Sequence, residues 1–553
     1  MTTKRKTKSP KVRKLRNAEY YNFQKIQDEL YQQSANNKKF TKLMDKILME
    51  ENILLAYRNI KRNKGSKTAG TDNKTITDIE KWSTNNLVKH VRKKLEWYKP
   101  KPVRRVEIPK PNGKTRPLGI PTIVDRIIQQ CILQILEPIC EAKFHERNNG
   151  FRPCRSTEHA LAQTYMYMQI SHLHYVVDID IKGFFDNVSH GKLLKQMWTL
   201  GIRDKKLLSI ISVMLKTEIA KVGFPERGTP QGGIISPLLA NIVLNELDWW
   251  ITSQWENIPT KYEYKPAKEQ GYATNKFRAL RKTNLKECYI VRYADDFKIF
   301  CRNKKDANNM FIATKKWLKE RLHLDISEEK SKVIDLRKQY SEYLGFKIKL
   351  MPKGKNSKGK TKYVVKSSIS EKAKKQIISK SKEHIKEIQH AEPKMQKQNI
   401  NLYNAYVIGI HQYYKRATTV AYDMMKIAFI VDRTARIRLN GLTKIKPKVY
   451  IPNNALNRYF KSKAMRYLNS QPLIPLSYIK YSSPMFKKNN INRYTEEGRK
   501  EIHKELETIN PYMLIYLSKN YIKNKSLEYN DNRIAVYVAQ KGKCKITKKR
   551  IKN

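Results

Sequence analysis

Two stretches of this 553-residue chain place carboxylates where strands should end. In Tyr175-Val176-Val177-Asp178-Ile179-Asp180-Ile181 the alternating β-branched residues predict a strand, and a side-chain period of two puts Asp178 and Asp180 on one face. Residues 288–293 and 297–300 read as two further strands, with Ala294-Asp295-Asp296 as a tight hairpin between them. Three carboxylates brought together repel one another unless a cation sits among them. Hard divalent ions such as Mg²⁺ take oxygen ligands at about 2.0–2.1 Å. A pair of such ions can activate an attacking 3′-hydroxyl and stabilise a leaving pyrophosphate. The chemistry open to Asp180, Asp295 and Asp296 is therefore metal-assisted nucleotidyl transfer. An Asp pair in a turn is ordinary on its own; Tyr293 and the apolar strand before it make the pattern specific.

The elements that must carry these acids follow from periodicity. Residues 19–100 read as mostly helical, broken by loops at Asn63-Lys64-Gly65-Ser66 and Gly70-Thr71-Asp72. Residues 103–109 predict a strand, and Lys110-Pro111-Asn112-Gly113-Lys114 a hairpin turn. Apolar residues recur at helical spacing from Ile123 to Cys140. From Glu371 the pattern is helical, with Ser368 and Glu371 as a capping box. Its first helix carries the stripe Ala373, Ile377, Ile385, Ile388, and the next carries Leu402, Tyr406, Ile410, Tyr413. Beyond about residue 445, basic and aromatic residues interleave, which predicts a small, extended nucleic-acid-binding region. His411, alone on an apolar face, reads as a packing residue.

Charge narrows the partners. There are 113 Lys and Arg against 50 Asp and Glu, a formal net charge of +63. Self-repulsion of that size is relieved by a polyanion. The basic residues run from Lys4 to Lys552 rather than along one amphipathic face, so nucleic acid fits better than a membrane surface. No apolar run approaches the roughly 18 residues of a membrane span, and the first residues hold no apolar leader core. Residues 1–16 carry eight basic side chains and no acid, which predicts a phosphate-contacting arm. The six cysteines form no CxxC pair, which predicts free thiols and no structural zinc site.

With these residues set out, the chain resembles the group II intron-encoded proteins. Tyr293-Ala294-Asp295-Asp296 is similar to the reverse-transcriptase box, and the run from Asp180 through Gly183-Phe184-Phe185 to Asn187 to the first-aspartate motif. Further blocks resemble the family in its order. They are Arg116-Pro117-Leu118-Gly119-Ile120-Pro121-Thr122, Gly150-Phe151-Arg152-Pro153 and the run from Gly228 to Asn241. Ser327-Glu328-Glu329-Lys330-Ser331-Lys332 and Tyr343-Leu344-Gly345-Phe346 follow, and the likeness spans about residues 50–440.

The resemblance implies an α+β right-hand polymerase. Its parts would be a basic extension (1–50), fingers and a ferredoxin-like palm (51–365), an all-α thumb or maturase domain X (366–445) and a small basic DNA-binding region (446–525). Residues 526–553 would be a truncated remnant of an HNH endonuclease. It implies that Asp180, Asp295, Asp296 and the Ile181 carbonyl hold two Mg²⁺ ions, with Mn²⁺ as an alternative. Phe185 would lie under the incoming sugar, Lys110 and Arg116 would grip the triphosphate, and Gln231 and Gly232 would approach template and nucleotide. Lys330 would donate a proton to the leaving pyrophosphate. The implied partners are the group II intron RNA, an RNA template with a DNA primer, target DNA and dNTPs, with no membrane. The setting would be a bacterial cytoplasm, near the nucleoid, or an organelle. The competing readings are a non-catalytic splicing factor that keeps the polymerase fold, and a domesticated host reverse transcriptase.

One motif is discounted. Residues 354–361 satisfy the Walker A pattern, but strands are predicted on both sides, where a P-loop needs a following helix.

Overall fold

The computed structural model describes the chain apart from residues 1–16, 110–112, 114, 231, 263–273, 356, 358, 447–455, 505–508, 548 and 550–553. The N-terminal basic arm therefore lies outside the described residues, as does most of the turn around Pro111. From residue 17 the expected extension is folded: Tyr20, Phe23, Leu30 and Phe40 are buried in the main core. Helices Gln24–Ala35 and Glu50–Lys61 both pack on helix Ile123–Glu141. That helix is capped by Thr122, whose hydroxyl accepts from the Asp125 N–H, and it is buried nearly all round. Strands β1 (Arg104–Pro109) and β2 (Thr115–Ile120) form an antiparallel hairpin beside this helical body.

The palm is a four-stranded antiparallel sheet of β3 (Tyr175–Ile179), β4 (Cys288–Tyr293), β5 (Asp296–Cys301) and β6 (Lys332–Asp335), in the order β4-β5-β3-β6. Helix Ser236–Ser253 lies between its first and second strands in the chain, and helix Lys304–Trp317 between its third and fourth. Both pack on the sheet. The result is the βαββαβ order of a ferredoxin-like palm, as the sequence implied. β3 and β5 are the two central strands, each with a partner on both edges. The β3 residues Val176, Val177 and Ile179 are buried, and the predicted strand stops at Ile179, two residues early.

A second sheet of β7 (Ser341–Tyr343), β8 (Phe346–Lys355) and β9 (Thr361–Ile369) leads into the thumb. The Walker-like segment joins β8 to β9, so it is a strand-to-strand connection. The predicted cap at Ser368 moves to Ser370, because Ser368 is still paired with Lys347 in the ladder. The Ser370 hydroxyl accepts from the Ala373 N–H and opens helix Glu371–Gln389. Its stripe is buried as expected. In helix Pro393–Tyr414 the buried set is Ile400, Tyr403, Asn404, Val407, Ile410 and His411. Leu402 and Tyr413 face out, so the predicted stripe was right only at Ile410 and at the half-buried Tyr406. The cause lies far along the chain: β10 (Arg466–Leu468) and β11 (Gln471–Leu473) form a hairpin whose second strand packs on this helix. Asn404 donates to the Pro472 carbonyl at 2.7 Å. His411 is buried between the Tyr459 hydroxyl (3.0 Å) and the Leu476 carbonyl (2.9 Å), and burial holds its pKa down to about 4.

The C-terminal segment then returns to the fingers. The Tyr494 hydroxyl donates to Glu137 at 2.6 Å, and Arg499 grips Asp28 through two bonds of 2.7 Å. In helix Leu527–Ala539, Asp531 is buried between Arg58 (2.8 Å) and the Tyr21 hydroxyl (2.6 Å). The segment expected to be a nuclease remnant thus completes the N-terminal core.

Candidate active site

The acids meet at one end of the palm sheet. β4 and β5 close on the pair Tyr293–Asp296, leaving Ala294 and Asp295 as a two-residue turn. The last β3–β5 pair is Ile179–Phe297, so one further step of the same antiparallel register sets Asp180 opposite Asp296. Asp180 is fixed through its backbone. Its N–H donates to Ser331 Oγ (3.1 Å), and its carbonyl accepts from the Ser327 N–H (2.7 Å). Ile181 is bridged to Ile326, and the Lys182 N–H donates to the Asp325 carbonyl. The loop 325–331 is therefore a rail along the acid.

Cations already attend this cluster. Lys330 Nζ lies 3.0 Å from Asp180 Oδ2, with both side chains open to solvent. Asp178 is consumed: it accepts from the buried Lys298 (2.6 Å), its cross-strand partner, and from Ser341 Oγ (2.9 Å). The Asp296 carboxyl is recessed, but its residue keeps an open face toward solvent. Loss of hydration, then the neighbouring Asp178, Asp295 and Asp180 carboxylates, push its pKa up to about 6 against the opposing pull of Lys298. Among the described residues no three acidic, His or Cys side chains close around a common point. Such an open, oxygen-only set suits Mg²⁺, which is bound by one or two carboxylates plus substrate phosphates and water rather than by an all-protein cage.

The turn that carries Asp295 is strained and clamped. Ala294 has φ +60°, a left-handed value unusual for alanine that costs about 1 kcal/mol or more. Arg292, wholly buried, holds it. Its guanidinium donates to the Ala294 carbonyl (2.7 Å), to both Asp248 oxygens (2.7 and 2.6 Å) and to Asn241 Oδ1 (3.1 Å). Asn241 also donates to the Gly150 carbonyl at 2.8 Å. A Cβ on Gly150 would overlap the Ala294 backbone nitrogen, so only glycine lets this segment lie against the turn.

The remaining candidates are spread around the acids. Phe185 is half-buried and stands edge-on to the buried Phe184, at 5.3 Å between centroids. Its carbonyl accepts from the Thr229 N–H (2.7 Å), which docks Thr229 beside it. Gly232, at φ +107°, abuts protein rather than open space: a Cβ there would overlap the Gly119 carbonyl oxygen of β2. Arg116 lies three residues from that contact, on the exposed hairpin. Lys110 and Gln231 lie outside the described residues.

Residues 108–348 match the reverse transcriptase (RNA-dependent DNA polymerase) family. The chain is 32% identical over 357 residues to group II intron-encoded protein LtrA of Lactococcus lactis subsp. cremoris, covering 57% of this chain and 58% of that protein. It is 34% identical over 279 residues to protein YkfC of Escherichia coli, covering 48% of this chain and 71% of YkfC. The chain belongs to the group II intron reverse transcriptase family. A third relative, nuclear intron maturase 2, mitochondrial, of Arabidopsis thaliana, is 29% identical over 187 residues, covering 26% of this chain and 24% of its own. The chain thus spans only a little over half the length of LtrA.

A reverse transcriptase domain depends on divalent metal in general, which agrees with the oxygen-rich palm tip. The sequence points to the acids at the palm tip but not to Lys298, Arg292, Asp248 and Asn241. A signal existed. Lys298 and Arg292 interrupt apolar strands, and Asp248 an apolar helix, where a charge is found only with a partner.

Proposed function

We propose that this chain is an RNA-directed DNA polymerase that also binds its parent intron RNA and assists the splicing and mobility of that RNA. The observation that carries the reading is the register that brings Asp180 opposite Asp296 beside the Asp295 turn. Asp180, Asp295, Asp296 and the Ile181 carbonyl would hold two Mg²⁺ ions, whose charge would activate the primer 3′-hydroxyl and steady the leaving pyrophosphate. Phe185 would pack against the sugar of an incoming dNTP and exclude a 2′-hydroxyl. Arg116, with Lys110, would grip the triphosphate, and Gln231 and Gly232 would border template and nucleotide. Lys330 would leave Asp180 as substrate arrives and carry a proton to the pyrophosphate oxygen. The RNA template, DNA primer, target DNA and intron RNA would be held by the basic surface, since large folded RNA is recognised mainly through shape and backbone.

The test is primer extension: a DNA primer on an RNA template with dNTPs and Mg²⁺, comparing wild type with Asp295→Asn. Wild type should extend the primer, and the variant should lose roughly 10³-fold or more. Equal rates would remove Asp295 from the metal site. No synthesis by either protein, with tight intron RNA binding kept and splicing still assisted, would leave a splicing factor on a polymerase fold.

A further inference from the structure

Away from the palm, two adjoining cavities of about 260 and 360 Å³ open on the fingers. They share Trp82, His90 and Lys93. The built wall is helix Thr84–Glu96. Its Leu87, Val88, Val91 and Leu95 are buried in the core, which turns Asn86, Lys89, His90 and Lys93 outward on one face. Trp82 precedes the helix and meets His90 edge to face, at 5.1 Å and 69°. Its carbonyl accepts from the Leu527 N–H (2.7 Å), and the Tyr521 hydroxyl donates to Asn85 (2.7 Å), so the returning C-terminal segment fixes the wall from behind.

The chemistry of the lining is one-sided. Lys74, Lys93, Lys94 and Lys101 ring the first cavity, and Lys89 and Lys93 the second. Lys94 is held by Asp125 at 2.8 Å, and Lys101 lies 3.8 Å from Asp72, the one carboxylate in the lining. None of Lys74, Lys89 and Lys93 is ion-paired among the described residues. Burial, then the neighbouring Lys94 and Lys74, keep the His90 ring below its ordinary pKa, so it offers one donor and one acceptor at neutral pH. Two cavities near the roughly 300 Å³ low end of ligand pockets, sharing an aromatic pair and rimmed by unneutralised lysines, combine a stacking surface with phosphate contacts.

We propose that this wall binds two consecutive unpaired nucleotides of a single-stranded polynucleotide, with the bases against Trp82 and His90 and the phosphates on Lys74, Lys89 and Lys93. A paired helix would present only backbone here, since its bases are stacked away from the aromatic faces. Its lining shares no residue with the acids proposed to hold metal, and it does not depend on the polymerase reading.

The experiment uses the full chain with a saturating primer–template, so that the cleft is filled. Short 4-thiouridine RNA and 4-thiothymidine DNA oligonucleotides are then photo-crosslinked, and the adducts mapped by mass spectrometry. An adduct within residues 82–93 is expected, weakened about tenfold in the Lys89→Ala/Lys93→Ala variant, with extension of the prebound primer unchanged. Equal yields with RNA and DNA would assign a sugar-independent site; an RNA-only adduct would assign the site to RNA. Absence of the 82–93 adduct in wild type, or an undiminished adduct in the variant, would overturn the proposal. So would equal competition by blunt duplex or by an acidic peptide, which would mark a general polyanion surface. An adduct in a protein that cannot extend a primer would sink the polymerase reading and leave this one standing.

Discussion

In the proposed metal site Asp296 would couple pH to the palm tip. Its carboxyl must be ionised to hold a cation, and its pKa is raised to about 6 by dehydration and by the acids around it. The rate of nucleotide incorporation is therefore expected to climb as pH rises through about 6, with the midpoint moving to lower pH as Mg²⁺ increases, because metal and proton compete. A midpoint that ignores Mg²⁺ would contradict the assignment. Stability should run the other way in metal-free protein. A carboxyl whose folded pKa is raised contributes stability below its unfolded value near 3.8, and that contribution is lost as pH climbs through about 6. Asp296→Asn should thus melt higher than wild type at neutral pH, by about 1 kcal/mol once the open face of the side chain is discounted, and match it under acid conditions. Lys330 makes a second case. Its bond to Asp180 is exposed, so Lys330→Ala should leave folding within about 1 kcal/mol. It should lower the Mg²⁺ needed for half-maximal rate while lowering kcat. These acids were readable because period two and a hairpin fix where they point. Lys298 and Arg292 were readable as charges needing partners, but Asp178 and Asp248 lie 120 and 44 residues away.

At the scale of elements, the turn between β4 and β5 is held by two other parts of the fold, the Gly150 segment and helix Ser236–Ser253 through Asn241 and Asp248, and by Arg292 of β4 itself. Gly150→Ala should push the turn aside and cut extension by roughly hundredfold or more, with the thermal midpoint falling less than the activity suggests. Asp248→Ala leaves the Arg292 charge buried without its partner and should cost about 3–5 kcal/mol in denaturant unfolding. Replacing both, as Asp248→Leu with Arg292→Met, should recover most of that stability. The double variant still lacks the donor to the Ala294 carbonyl, so it should stay slow. Recovery of rate together with stability would show that the clamp serves folding alone. The strands of this assembly could be read from short apolar runs on either side of the Asp pair. The cap at Ser370 could not be told from Ser368 without knowing that β9 pairs on to Ile369. The apolar stripe of helix Pro393–Tyr414 was misphased because the β10–β11 hairpin covers it from over 50 residues away.

For the whole molecule, composition gives the charge but not the path of the chain. A net charge of +63 is visible to simple counting. That helix Leu527–Ala539 would bury Asp531 against Arg58 and Tyr21 is not, because a separation of 473 residues between Asp531 and Arg58 leaves no local trace. This closure makes the two ends of the described chain interdependent. Asp531→Ala strips a buried arginine and a buried tyrosine hydroxyl of their acceptor, a change that costs about 3–5 kcal/mol when one partner of a buried pair is removed. Hydrogen exchange should report the loss where the contacts are: amides of residues 17–61 and 84–96 should exchange faster, while those of β3, β4 and β5 keep their protection. The same variant should weaken crosslinking at Trp82, whose carbonyl is held by Leu527, before it slows primer extension. Uniform loss of protection across palm and thumb would instead mean that the molecule unfolds as one unit, and that the C-terminal segment supports all of it rather than the fingers.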